Sequence, residues 1–152
     1  METNRTSRSF RYRASTIWSS ARRGLLQAAE KPAIIVGSPP EFKGEPNIWA
    51  PEELLVGSVN TCMMLTFLSL AESRGLTPAE YASEAEGLLE DIGGKYSFTE
   101  ITVRPLISVK SEAAVEPTRK IMESAERHCF ISNSVKAKVN VVARLVVAPS
   151  PA

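Results

Sequence analysis

The sequence predicts an α+β fold, mainly antiparallel in its sheets, with a long buried central helix and a second helix. Three observations predict it. Apolar and polar residues alternate near both ends and in the middle of the chain, a single helical run of about 25 residues separates the first strands from the rest, and the order is strands, long helix, strands, helix, strand.

The first strand is read in "FRYRASTIW", where Phe10, Tyr12, Ala14, Thr16 and Trp18 alternate with Arg11, Arg13 and Ser15. The same region carries Arg5, Arg8, Arg11, Arg13, Arg22 and Arg23 against Glu2 alone, which superficially resembles a transit peptide. Alternation is a strand signal and argues against that amphipathic-helix reading. A turn at "SSARRG" follows, then short strands at "LLQAAE" and "AIIVG", then the Pro/Gly-rich loop "SPPEFKGEPNIWAP".

Pro51 suits the first position of a helix, where its missing N–H costs nothing, and Glu52 and Glu53 fall in the first turn, where the macrodipole favours carboxylates. The pattern continues to "ESRG", with Gly75 as the stop and Arg74 as the cation beside it. From Leu54 to Ala71 the residues are apolar or small nearly all round, which predicts burial on most faces. Ser58, Asn60, Thr61, Thr66 and Ser69 interrupt the run and argue against a membrane span.

Next, "YASEAEGLLEDI" and "SFTEITVRPLISVK" predict a hairpin joined through "GGKY", with Ile101, Val103, Ile107 and Val109 inward and Pro105 at an edge or a bulge. Pro117 opens the second helix, which sets Ile121, Ala125 and Cys129 on one face. "KVNVVARLVVA" is the closing strand, and the tail "PSPA" reads as disordered. One sheet and one further helix cannot enclose so apolar a central helix, so a single domain over 1–152 is expected to form an intertwined homodimer.

Composition narrows the function classes. With 152 residues, 43% hydrophobic and 23% charged, the chain can build a globular core. A net charge of +1 supplies no field for nucleic acid or anionic lipid. Two cysteines are too few for a secreted disulfide scaffold, and no signal-peptide pattern is seen, so a cytoplasmic setting is expected. One histidine and two distant cysteines have no metal-ligand spacing, and "DIGGKYS" lacks the phosphate-loop frame, so neither metal nor nucleotide cofactor is expected. "VGSVN" is not a nucleophile elbow, and His128 reads as a residue bonding the carbonyls at a helix end.

What remains is Cys62, Cys129, the pair Glu52 and Glu53, and the pair Arg22 and Arg23. A thiol among apolar neighbours is ordinarily an inert small hydrophobe, so Cys62 in "GSVNTCMML" is packing unless something holds a thiolate there. Glu52 lies ten residues before it, about 15 Å along one helix, too far for contact. A guanidinium could bridge part of that gap, taking a carboxylate on one edge and a thiolate on another.

"APEELLVGSVNTCMMLTF" resembles the "PEELL…C" helix of the OsmC/Ohr proteins, osmotically induced and organic-hydroperoxide-resistance peroxidases, and "CFISNS" resembles their second-cysteine motif, usually C-P-x-S-N. The resemblance implies the OsmC-like fold as a homodimer, with Cys62 as peroxidatic cysteine, Cys129 as resolving cysteine, and Glu52 and Arg22 as site residues, Arg23 being a one-residue alternative. Phe130 stands where the family usually has proline.

It further implies an antioxidant role in the oxidative stress response. The thiolate attacks an organic hydroperoxide, Cys62 passes through a sulfenic acid to a Cys62–Cys129 disulfide, and an external dithiol, a lipoyl group in the family, resets the pair. Met63, Met64, Leu65 and Phe67 either line an alkyl or fatty-acid pocket or are simply core. Two other classes fit the scaffold: a non-catalytic dimeric module binding a small apolar ligand, and a hot-dog-like thioester-binding protein. A redox-active cysteine pair discriminates against both.

Overall fold

The structure, a computed structural model, describes residues 7–151. Glu2 and Arg5 of the N-terminal charge run, and the last residue of the tail, lie outside the described residues. The chain divides into two compact units between Glu53 and Leu54.

The first unit holds a three-stranded antiparallel meander of β1 (Ser15–Ser20), β2 (Arg23–Gln27) and β3 (Ile34–Gly37). The expected strand from Phe10 begins instead at Ser15, because β2 ends at Gln27, directly opposite Ser15, and leaves the earlier residues without a neighbour to pair with. Phe10 and Tyr12 are accordingly exposed. The Pro/Gly-rich loop contains one short 3-10 turn, Pro40–Phe42.

Helix α1 runs from Pro51 to Ser73. Its N-terminus is capped by Glu53, whose carboxylate accepts the Ala50 N–H at 3.0 Å, the return half of a capping box. At the other end Gly75 takes φ +68°. There the Leu76 N–H reaches the Ala71 carbonyl at 2.9 Å and the Gly75 N–H reaches that of Glu72 at 3.0 Å, a Schellman closure that needs the left-handed residue glycine supplies. By length and mean hydropathy, 1.7, α1 could cross a membrane, a test that the core helix of a globular protein also passes.

The second unit is built on the hairpin of β4 (Glu80–Ile92) and β5 (Lys95–Val109). Its turn is tighter than expected. Gly93 and Gly94 alone make it, both at positive φ, so Lys95 and Tyr96 already belong to the strand. After β5 comes a 3-10 turn, then α2 (Val115–His128), which starts two residues before Pro117 and keeps the proline within its first turn. The closing apolar run forms two strands, β6 (Lys138–Val141) and β7 (Arg144–Val147), end to end along one edge of β5.

Both pair parallel to β5, because α2 serves as the crossover that brings the chain back in the same direction. The hairpin and the meander stay antiparallel. Pro105 lies on the inner strand β5, neither at a sheet edge nor at the bulge between Leu88 and Leu89. β6 pairs as far as Val103 and β7 resumes at Leu106, so the missing proline N–H faces the break between them.

Val59, Met63, Phe67 and Ala71, four residues apart along α1, are fully buried against Ile101, Val103, Ile107 and Val109 of β5 and Ile121, Met122 and Ala125 of α2. Gly87 lets the helix approach the hairpin, since a Cβ there would lie 2.6 Å from Val56 Cγ2 and 2.7 Å from Phe98 Cε1. Asn60 and Ser83 exchange hydrogen bonds across the same contact, and the Phe67 and Tyr81 rings meet at 5.5 Å. One chain therefore buries a single stripe of α1 completely, and Leu65 on another face is 56% exposed.

Candidate active site

Cys62 sits on α1 beside the buried stripe, one position before Met63, and is partly buried. Cys129 immediately follows α2 and is completely buried in the core. Sixty-seven positions separate them in sequence, and the second unit brings them together as free thiols in hydrogen-bonding contact.

The loop after α2 is braced to present its backbone to Cys62. The Asn133 N–H donates to the Cys129 carbonyl at 3.0 Å, and the Asn133 side chain donates to the Arg127 carbonyl at 3.2 Å. Ser134 Oγ donates to the Phe130 carbonyl at 2.7 Å. These bonds fold "CFISNS" back on the end of α2 and leave the N–H groups of Phe130 and Ile131 for the Cys62 sulfur. Thr66, one turn further along α1, places its hydroxyl 3.9 Å from the same sulfur.

The result is a thiol pair with a polarity. Burial, the largest influence on Cys62, pushes its thiol up. The Ile131 N–H, the Cys129 thiol, the Thr66 hydroxyl and the Phe130 N–H together outweigh burial and hold it below the ordinary thiol value. Burial also pushes Cys129 up. The adjacent Ser132 opposes that rise, but the neighbouring Cys62 sulfur adds to it, and the thiol is held above its ordinary value. Cys62 is thus the group that ionises first, and Cys129 the donor that steadies it.

Arg22 and Glu52 belong to the first unit. Arg22, in the turn between β1 and β2, is exposed and donates from Nη1 to the Phe42 carbonyl at 2.6 Å. Arg23 opens β2 and pairs with Glu45 at 3.3 Å, while its Nε is buried with no hydrogen-bond partner among the described residues. Glu52 also has a buried carboxylate oxygen, Oε2, with no partner among the described residues, and no ion pair joins it to either arginine. Glu53 is occupied by the helix cap, so the two glutamates that look alike in sequence are in different employment.

Sequence reasoning missed the loop amides of Phe130 and Ile131, Ser132 and Thr66. Of these only Thr66 had a visible signal, its spacing of four from Cys62 on a helix. Tyr81, whose hydroxyl burial pushes above the ordinary range and which feels the Cys129 charge, had none. Among the described residues no group of three His, Cys, Asp or Glu side chains is placed to hold a metal.

Comparison with known proteins gives the scaffold its place. The family described as "OsmC-like protein" matches residues 44–144. Among curated proteins, the uncharacterized protein YmaD of Bacillus subtilis (strain 168) is 28% identical over 109 residues, covering 70% of this chain and 73% of its own. Among solved structures, an OsmC-like protein of unknown function from Vibrio cholerae superposes with a TM-score of 0.78 at 24% identity over 91% of this chain and all of its own. An organic hydroperoxide resistance protein OsmC from Legionella pneumophila has a TM-score of 0.71 at 17% identity, over 93% of this chain and all of its own. With the family match spanning about two thirds of its length, this chain belongs to the OsmC-like protein family.

Proposed function

We propose that the protein is a thiol-dependent peroxidase that reduces organic hydroperoxides, alkyl or fatty-acid, to alcohols. One observation carries the reading: two cysteines far apart in sequence sit in contact with their ionisation biased in opposite directions, Cys62 toward thiolate and Cys129 toward thiol. That division is what a two-cysteine peroxidase requires, because the attacking sulfur must be charged and the resolving sulfur must wait. The name of the Legionella pneumophila structure, an organic hydroperoxide resistance protein, supports the substrate class.

In the proposed cycle the Cys62 thiolate attacks one peroxide oxygen, the O–O bond breaks, and the alkoxide leaves and is protonated to the alcohol. Cys62 is then a sulfenic acid. Cys129 attacks that sulfur, its proton and the hydroxyl leave as water, and a Cys62–Cys129 disulfide remains. An external dithiol, such as a lipoylated protein, restores both thiols and is itself oxidised to a disulfide. Arg22 is proposed to orient the peroxide and hold the thiolate, with Glu52 fixing the arginine and Arg23 as the alternative cation. The working form is proposed to be a cytoplasmic homodimer.

The decisive experiment is intact mass and free-thiol count after one equivalent of cumene hydroperoxide. The expected outcome is loss of both thiols and a mass lower by about two hydrogens, as an internal disulfide requires. Retention of both thiols would overturn the peroxidase reading.

A further inference from the structure

A second polar cluster lies where two helix ends meet, at Ser124. Arg74, just past the end of α1, donates from Nη2 to Ser124 Oγ at 3.3 Å. Arg127, in the last turn of α2, donates from its own Nη2 to the same oxygen at 3.2 Å. His128 Nδ1 donates to the Ser124 carbonyl at 2.7 Å, tying the imidazole to the same turn. Ser124 itself is only 7% exposed.

The two Nη2 atoms on one oxygen are at most about 6.5 Å apart, inside the roughly 10 Å over which salt screens charge. Neither has a carboxylate partner among the described residues, where the ion pairs are Arg23 with Glu45 and Arg119 with Glu116. Glu123 and Glu126 flank Ser124 along α2 and close on neither arginine. Beside Arg74 opens a cleft of about 470 Å³, which Lys120 lines as a second cation and Glu116, already engaged by Arg119, as the one acid; Arg127 and Ser124 lie outside its lining.

Complementing a helix dipole accounts for Arg127 and His128 at the end of α2. It accounts likewise for Arg74 at the end of α1, but not for the convergence of guanidiniums from two helices on one hydroxyl oxygen. Ser124 Oγ spends both lone pairs on the two arginines, so its hydroxyl hydrogen is what it has left to give, and each guanidinium keeps further N–H donors free.

We propose that Arg74, Arg127 and Ser124 form a binding site for a tetrahedral oxyanion of the phosphate class, with Lys120 as an additional cation at the cleft. Such an anion takes paired N–H bonds from planar guanidiniums, accepts the serine hydroxyl, and neutralises the two charges that the fold holds together. A planar carboxylate has fewer acceptor directions and half the charge.

The test is titration of the full-length protein with inorganic phosphate at fixed ionic strength, followed by amide and guanidinium NMR. The expected result is saturable shifts centred on Ser124, Arg74 and Arg127, with a raised unfolding temperature. Arg74 is exposed, so Arg74→Gln disturbs no core, and it should weaken phosphate binding at least ten-fold, with Arg74→Lys recovering only part. Equal responses to acetate or chloride would reduce the cluster to helix-end charge and overturn the proposal. So would saturable phosphate binding unchanged in both Arg74→Gln and Arg127→Gln. The readout is binding rather than peroxide turnover, so it stands or falls apart from the proposed activity.

Discussion

At Cys62 burial and hydrogen bonding oppose each other, and the hydrogen bonds win. Iodoacetamide alkylation followed by peptide mapping should therefore show Cys62 reacting at a lower pH than Cys129, and the reverse order would show the roles exchanged. The linkage to stability has opposite signs at the two thiols. Cys62, lowered on folding, contributes stability that is present above its unfolded value and lost as pH falls through the folded one, whereas the contribution of Cys129, raised on folding, is present below its unfolded value and lost as pH rises through the folded one. Removing one donor with Thr66→Val should raise the Cys62 value, moving the onset of its alkylation to higher pH, since one of the bonds that favour the thiolate is lost. On the proposed cycle Cys62→Ser abolishes peroxide consumption, while Cys129→Ser allows one turnover and leaves a sulfenic acid that dimedone traps. Equal partial losses in the two variants would contradict the assignment.

Among the elements, α1 and the loop after α2 carry the geometry. The helix seats Cys62 by burying its neighbour Met63, and its approach to β4 depends on Gly87. Gly87→Ala should destabilise the fold by about 1–3 kcal/mol in a denaturant titration, because the new methyl meets both Val56 and Phe98. Phe67→Ala, at the middle of the buried stripe, should cost about 3–5 kcal/mol. The loop is held by side-chain bonds together with a short 3-10 turn at Ser132–Ser134. Asn133→Ala frees it from the Arg127 carbonyl, so disulfide formation after peroxide should slow by several-fold while global stability falls by about 1 kcal/mol. An unchanged rate would show that the loop needs no such anchor.

Taken as a whole, the molecule buries one stripe of α1 completely and leaves its other faces only partly covered. Leu65 at 56% exposure, in a helix with this hydropathy, argues for a second copy, and scattering at micromolar concentration should return about twice 16.6 kDa. A monomer under those conditions would remove the dimer from the proposal. If the dimer forms, mixing a Cys62→Ser chain with an Arg22→Ala chain asks whether the two residues work within a chain or between chains. Activity restored in the mixture means that they act across the dimer, and none means that they act within one chain.

The amino-acid sequence by itself determined the helices and the inward face of β5, and it singled out the two cysteines that the second unit brings together. Helix periodicity, Pro51, Gly75 and the alternation through Ile101 and Val109 are local signals, set by backbone geometry within a few residues of each position. The family motifs, likewise short, marked Cys62 and Cys129. What the sequence could not carry was partnership. β6 and β7 run parallel to β5 because α2 crosses over between them, and Pro105 is tolerated on an inner strand because those two strands part opposite it. The Phe130 and Ile131 amides turn toward Cys62 because the loop folds back, and backbone donors have no residue type to announce them. Tertiary structure alone decided these, since each depends on a contact between groups that the chain holds far apart, or on the direction in which a neutral backbone group happens to point.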